Sequence, residues 1–200
     1  MIAGLLLASG ASHRFGSNKL AEPLGDRAVV RWSADALVHE VDELFVVVPD
    51  AAREIRDALA GLAARFVVNE REPTGLASSI RAGVAALPPS AEAVVLTLGD
   101  QPLLDRAVTA RVIARWCEGG VSAVAACYED GRGHPVLFGA TLFPALDALE
   151  GDRGARALLD GLGEDLALVD VMGAQPIDVD TREALDVVAL EIARGARERR

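Results

Sequence analysis

A run of apolar residues, Ile2 to Leu7, ends abruptly in Ala8-Ser9-Gly10-Ala11-Ser12-His13-Arg14-Phe15-Gly16-Ser17-Asn18-Lys19. A buried strand that opens into a loop of small residues, with an arginine and a lysine spaced along it, builds a polyphosphate site. Small residues let backbone N–H groups approach phosphate oxygens, and the two cations neutralise charge that amides alone cannot. The spacing excludes two common phosphate loops. A Walker A loop needs G-x-x-x-x-G-K-[ST], but here two residues separate Gly16 from Lys19 and no hydroxyl follows the lysine. A dinucleotide fingerprint needs G-x-G-x-x-G, and Gly10 is followed by Ala11-Ser12. An ordinary βα turn with surface charges is the plainer alternative. It accounts less well for glycines, Arg14 and Lys19 gathered where a buried strand ends.

Further along, strand-like runs alternate with helical ones. Ile2–Leu7, Leu44–Val48, Phe66–Val68, Ala93–Leu98 and Val121–Tyr128 read as strands. Val29–Val38, Ala51–Ala64, Ala77–Leu87 and Ala107–Trp116 carry apolar residues at helical spacing. The alternation predicts an α/β fold of βαβ units, with a mostly parallel central sheet covered on both faces. After Asp130 the rhythm changes. Gly131-Arg132-Gly133 reads as a turn, and His134–Phe138, Leu166–Val171 and Ile177–Val179 as strands. Helices are expected over Thr141–Leu149, Ala155–Gly161 and Arg182–Arg194. With no repeat, linker or low-complexity stretch, residues 1–200 are expected to form one domain.

Composition narrows the function classes. The net charge of −10 argues against a nucleic-acid binder, yet a few local cations can still dominate a cleft. No run is long enough to span a bilayer, and Met1 leads straight into a strand pattern, so a cytoplasmic protein with no membrane partner is expected. Cys117 and Cys127 lack metal-ligand spacing and read as small buried hydrophobes. The basic tail Arg194–Arg200 reads as a solvated, frayed helix end, and His13 and His39 as unassigned surface residues.

In open α/β sheets, ligands bind beyond the carboxyl ends of the strands. Three loops fall there: the first loop, Asn69 to Gly75, and Gly99-Asp100-Gln101-Pro102. Asp100 has the position of a Mg²⁺ ligand, since that ion takes one or two carboxylates plus phosphate oxygens and water. A turn or helix-capping aspartate fits the same residues. Asp178-Val179-Asp180-Thr181 offers a second acidic pair, whose carboxylates would share one face of a strand, while Asp180 could equally cap the helix that follows. With a phosphate loop, two such sites suggest metal-assisted phosphoryl or nucleotidyl transfer.

Leu7-Ala8-Ser9-Gly10-x-Ser12-x-Arg14-Phe15-Gly16-x-x-Lys19 resembles the L-A-A-G-x-S-x-R-M-G-x-x-K signature of MobA-like nucleotidyltransferases, and most closely the molybdenum cofactor cytidylyltransferase branch. Gly99-Asp100-Gln101-Pro102, Gly133-His134-Pro135-Val136, Gly151-Asp152-x-Gly154-Ala155-Arg156 and Asp178-x-Asp180-Thr181 resemble that branch's later motifs, in order along nearly the whole chain. Ser9 and Phe15 depart from the usual alanine and methionine; both are conservative in size, and Ser9 bears on base or ribose contacts.

The resemblance implies a Rossmann-like, glycosyltransferase-A type sheet that binds a nucleoside triphosphate with Mg²⁺. It implies transfer of a nucleotide, CMP from CTP, to the terminal phosphate of molybdopterin, with an apo-molybdoenzyme as a downstream partner. Carried over, Leu7, Ala8, Ser9, Gly10, Ser12 and Gly16, with Asn69, Gly75 and Ser78, would bind the nucleotide. Arg14 and Lys19 would hold its triphosphate, and Asp100 and Asp180 the metal; Arg14, Lys19 and Asp100 form the expected catalytic set. Gln101, Pro102, His134, Asp152 and Arg156 would line the acceptor side. From the residues alone, Ser78 fits a helix cap, His134 a structural histidine, and Asp152 with Arg156 a surface i, i+4 pair equally well. The competing functions are guanylyl or other nucleotidyl transfer to another phosphorylated acceptor, and a non-catalytic carrier that delivers the cofactor to a molybdenum hydroxylase.

Overall fold

The computed structural model describes residues 1–10, 15, 18–70, 75–151 and 155–198, with no side-chain description beyond residue 195. Arg14, Ser12, Gly16 and Asp152, all expected site residues, lie outside the described residues.

Seven strands form one sheet: β1 (Ile2–Leu7), β4 (Glu43–Val48), β5 (Ala64–Val68), β6 (Ala93–Leu98), β7 (Ala123–Tyr128), β8 (Gly131–Gly139) and β9 (Leu166–Asp170). Their order is β5-β4-β1-β6-β8-β7-β9. Every neighbouring pair is parallel except those made by β8, which runs antiparallel to both β6 and β7. Two short strands, β2 (Pro23–Leu24) and β3 (Arg27–Ala28), form a separate hairpin.

Helices cover both faces, as continuous apolar central strands require. Along β1 alternate residues feed different cores. Leu6, with Val46 and Val95, packs on one face against Val30 and Leu37 of α1 (Val29–Val38), Ile55 of α2 (Arg53–Ala58) and Val112 of α4 (Arg106–Cys117). Leu5 and Leu7, with Phe45 and Leu96, pack on the other. They meet Ile80 of α3 (Leu76–Ala85), Leu146 of α5 (Phe143–Asp147) and Leu159 of α6 (Arg156–Gly161). A third cluster, Phe15, Leu24, Val29, Val179 and Val188, docks α7 (Arg182–Glu198) against the hairpin and the start of α1.

Several expectations are corrected. Ile177–Val179 is not a strand; it is a loop in which the Val179 N–H donates to the Asp100 carbonyl at 2.9 Å. The helix expected over Ala51–Ala64 spans only Arg53–Ala58, because Gly61 reverses the chain at φ +82° and Ala64 already belongs to β5. Gly131-Arg132-Gly133 lies within β8, with the turn one step earlier at Glu129-Asp130. Cys117 is exposed and Cys127 half-buried, so neither is a core residue.

Candidate active site

The carboxyl ends of β1, β5 and β6 bring the three loops to one edge. The Ala8 N–H donates to the Val47 carbonyl at 2.8 Å and the Gly99 N–H to the Leu7 carbonyl at 2.9 Å, so the sheet's bonding carries on into both loops. A Cβ at Gly99 would stand 3.1 Å from the Leu7 carbonyl oxygen, tighter than an ordinary contact, so glycine eases the close approach of the β6 loop to the first. Ser33 of α1 donates its hydroxyl to the Gly99 carbonyl at 3.0 Å and anchors the loop from below.

Lys19 follows the first loop and is 7% exposed. Its ammonium donates to Asp100 Oδ2 at 2.6 Å and to Asp180 Oδ1 at 2.7 Å. Burial alone would lower the Lys19 pKa, but the Asp100 and Asp180 carboxylates more than reverse it, and the group is held charged, above its ordinary value. The helix-capping alternatives for both aspartates fall away. Asp105 caps α4, accepting from the Ala107 N–H at 2.8 Å, and Thr181 Oγ1 accepts from the Ala184 N–H in the first turn of α7. Asp100 and Asp180 turn to the lysine instead.

Asp178 and Asp180 do not point together. Gln101 Nε2 donates to Asp178 Oδ1 at 2.8 Å, while Asp180 takes Lys19. Burial raises the Asp178 carboxyl above its ordinary range, opposed by the Gln101 bond and by Lys19, while the Asp100 and Asp180 charges add to the rise. The other amide atom, Gln101 Oε1, is buried and has no hydrogen-bond partner among the described residues.

A second polar network joins β1, β5 and α3. The Ser9 and Ser79 hydroxyls are 2.5 Å apart, and Asn69 Nδ2 donates to Ser78 Oγ at 3.1 Å and to Ser79 Oγ at 3.4 Å. Ser78 does not cap α3 with its side chain; its hydroxyl donates back to the Gly75 carbonyl at 3.0 Å. Gly75 itself holds φ +93°, where a side chain would be strained. Leu7 and Ala8 are buried and Gly10 is exposed at the loop's entrance.

Between the sheet and helices α3 and α6 lies a cavity of about 270 Å³. Leu76, Ile80, Leu96, Val136, Phe138 and Leu159 make it largely apolar, and Gln101, Arg132, His134, Arg156, Gln175 and Asp178 supply its polar groups. Three of the residues expected on the acceptor side therefore share one cavity. Pro102 is buried and is not in its lining. Burial pushes the His134 imidazole down to about 4, against the pull of Asp100, so the ring is neutral at neutral pH. Tyr128 donates its hydroxyl to the His134 carbonyl at 2.7 Å, and burial pushes its own pKa up to about 12. Ser33, Tyr128 and Gln175, which packs against Gly133, carry no local sequence signal; their relation to the site exists only in three dimensions.

The carboxylate pair fits a hard divalent cation. Two oxygen donors converge on one buried positive charge, and among the described residues no group of three or more metal-ligating side chains gathers, so the remaining coordination would fall to water and phosphate oxygens. No helix among the described residues is long and apolar enough to cross a membrane.

The family match places this open, mostly parallel sheet, with a lysine bridging Asp100 at the end of β6 and Asp180 from a loop, among enzymes of the nucleotidyltransferase class. The chain belongs to the MobA-like NTP transferase domain family, whose model matches residues 4–167. It is 30% identical over 204 residues to the purine catabolism protein PucB of Bacillus subtilis, covering 94% of this chain and 95% of that one. A molybdenum cofactor guanylyltransferase of Cereibacter sphaeroides is 35% identical over 135 residues, 66% of this chain and 65% of that one. Among solved structures, Rv0371c of Mycobacterium tuberculosis superposes with a TM-score of 0.83 at 32% identity, covering 94% of this chain and 97% of that one. The same protein has been solved in complex with manganese.

Proposed function

We propose that this nucleotidyltransferase moves CMP from CTP onto the terminal phosphate of a molybdopterin-type acceptor, with residues 1–200 acting as one catalytic domain. The observation that carries the reading is Lys19 held between Asp100 and Asp180, residues from three distant segments brought to the ends of β1 and β6. The nucleophile in such a reaction is already an anion, so positioning and charge neutralisation are what the site must supply.

In this reading the acceptor phosphate oxygen attacks the α-phosphorus, a new P–O bond forms, the bond to the β-phosphate breaks, and pyrophosphate leaves. The first loop, Leu7 to Gly10 with Ser12 and Gly16, cradles the nucleotide. The Ala8–Gly10 backbone contacts its base and ribose, and Asn69, Gly75 and Ser78 receive base or phosphate. Arg14 and Lys19 neutralise the triphosphate, and Asp100 and Asp180 hold Mg²⁺. The metal, when bound, offsets charge on the phosphate oxygens as it accumulates. On the acceptor side, Gln101, His134 and Arg156 line the apolar cavity, and Pro102 and Asp152 complete the acceptor set that the resemblance implies. The neutral His134 ring can donate or accept a hydrogen bond without adding charge to a pocket meant for a flat heterocycle. An apo-molybdoenzyme would receive the product.

CTP is favoured by Leu7-Ala8-Ser9-Gly10 and Asp178-Val179-Asp180-Thr181, which resemble the cytidylyl branch. Guanylyl transfer is the second reading, supported by the relatedness to a guanylyltransferase. The test mixes the protein with Mg²⁺, molybdopterin and each nucleoside triphosphate in turn and measures pyrophosphate. Release with CTP alone supports the proposal and release with GTP alone replaces the base. Tight nucleotide binding with no release from any triphosphate would point to a carrier.

A further inference from the structure

Gln101 is 4% exposed, yet only one end of its amide is satisfied. Nε2 donates to Asp178 Oδ1 at 2.8 Å, while Oε1 is buried and has no hydrogen-bond partner among the described residues. The amide is not free to be turned around. An ionised carboxylate only accepts, so Asp178 takes the nitrogen and leaves the oxygen over. The Val179 N–H, donating to the Asp100 carbonyl at 2.9 Å, stitches the two segments together and fixes this pairing. A buried acceptor without a donor costs free energy until something supplies one. Other buried polar atoms without partners stand elsewhere. Thr97 and Thr109 do not line the cavity of about 270 Å³, and Arg81 Nε belongs to a guanidinium 4.0 Å from Asp147. Gln101 and Asp178 both line that cavity, whose walls include Leu76 and Ile80 of α3 and Val136 and Phe138 of β8.

We propose that Gln101 sets the specificity for the acceptor substrate: its Oε1 takes an N–H of a flat nitrogen heterocycle seated in the cavity, and Asp178 is the positioning residue that keeps this oxygen, rather than the amide nitrogen, for that ring. This rests on the reading of the cavity as the acceptor site. Apolar walls suit the faces of a fused ring, which need no polar partner, so recognition falls to the ring's edge. Gln101 Oε1 and the Asp178 carboxylate are both hydrogen-bond acceptors, and an edge that carries N–H groups complements them. The last torsion of a glutamine side chain is broad, so the oxygen turns to meet a donor while Nε2 keeps Asp178. A ring of the same shape without N–H leaves Oε1 unpaired. Sites built to hydrogen-bond a polar group reject analogues that lack it for this reason, and far more strongly than an apolar wall rejects a change of shape.

Fluorescence titration of the full chain with two probes, pterin and dimethyllumazine, tests this apart from turnover. Dimethyllumazine keeps the fused bicycle but is methylated at both ring N–H positions and carries no donor. Wild type is expected to bind pterin at least about tenfold more tightly. Gln101→Met, which keeps the length of the side chain and removes the acceptor, should bring the two affinities to within about twofold by weakening pterin alone. The methyl groups add bulk in every variant, so a preference that survives Gln101→Met is steric and overturns the inference. Asp178→Ala, at an exposed position, frees the amide to turn and should shrink the preference at least about threefold. Should Gln101→Met fail to fold, Asp178→Ala carries the test, and a preference it leaves undiminished overturns the inference. Equal affinity of wild type for the two probes removes Gln101 from recognition and leaves the acceptor reading standing. Binding of neither probe overturns both.

Discussion

The Ser9 hydroxyl lies 2.5 Å from the Ser79 hydroxyl and ties the end of β1 to the first turns of α3, with Asn69 joining from β5. Ser9 is 4% exposed, so its departure from the family's usual alanine is absorbed inside the protein rather than displayed to a ligand. Its influence on a nucleotide would pass through Asn69 and Ser78.

Ser9→Ala should therefore cost about 1 kcal/mol of stability, the net worth of a buried neutral hydrogen bond whose partner keeps another donor. Urea unfolding reads the change. In the pyrophosphate assay the KM for nucleotide should move more than kcat, and an unaltered KM would separate Ser9 from nucleotide positioning.

Asp100 and Asp180 share Lys19 but are unequal, their side chains being 20% and 55% exposed. Asp100→Asn should lower stability by roughly 1–3 kcal/mol because it takes the better-buried carboxylate from a buried ammonium, whereas Asp180→Asn should cost under about 1 kcal/mol. Turnover should fall at least about a hundredfold in Asp100→Ala with the fold retained by circular dichroism. Undiminished turnover would remove Asp100 from the metal-ligand set.

Asp178 runs opposite to the usual carboxylate. Its folded pKa is raised, chiefly by burial, so the protonated form is favoured by the fold and stability is lost as pH rises from the unfolded value, 3.8, through the folded one. Asp178→Asn should raise the unfolding midpoint at pH 7, since the amide removes a charge that partial desolvation and the neighbouring Asp100 and Asp180 carboxylates disfavour and can still accept from Gln101. A lowered midpoint would mean that the charge is needed beside Lys19.

His134 sets a different pH window. With its folded pKa near 4 and its unfolded value 6.5, the stability present above pH 6.5 should drain away as pH falls toward 4. The change amounts to about 3 kcal/mol. Comparing wild type with His134→Asn by thermal denaturation between pH 4 and 7 isolates this contribution, and parallel curves for the two proteins would refute it.

Local pattern carried much of the fold. β1, β6 and α1 occupy the expected ranges Ile2–Leu7, Ala93–Leu98 and Val29–Val38, because short apolar runs and amphipathic spacing report burial directly. Pattern failed where tertiary bonds replace a ladder. Ile177–Val179 has the alternation of a strand, but its Val179 N–H goes to the Asp100 carbonyl and its Asp178 to Gln101, so the segment is held as a loop by the site itself. The β2–β3 hairpin was invisible because two-residue strands carry too few side chains to show a period.

For the site, the sequence alone supplied the phosphate-loop chemistry, the strand-end position of Asp100 and the family resemblance. These depend on residue type, spacing and order, which the chain carries wherever it folds. Only the tertiary structure decided that Lys19 bridges Asp100 and Asp180, that Asp178 turns instead to Gln101, and that Ser9 is spent on Ser79. Those choices rest on distances between segments 70 to 161 residues apart, set by how the sheet stacks its strand ends. No local periodicity encodes them, because a hydrogen bond across the sheet depends on packing and burial at its two ends rather than on the residues beside either one.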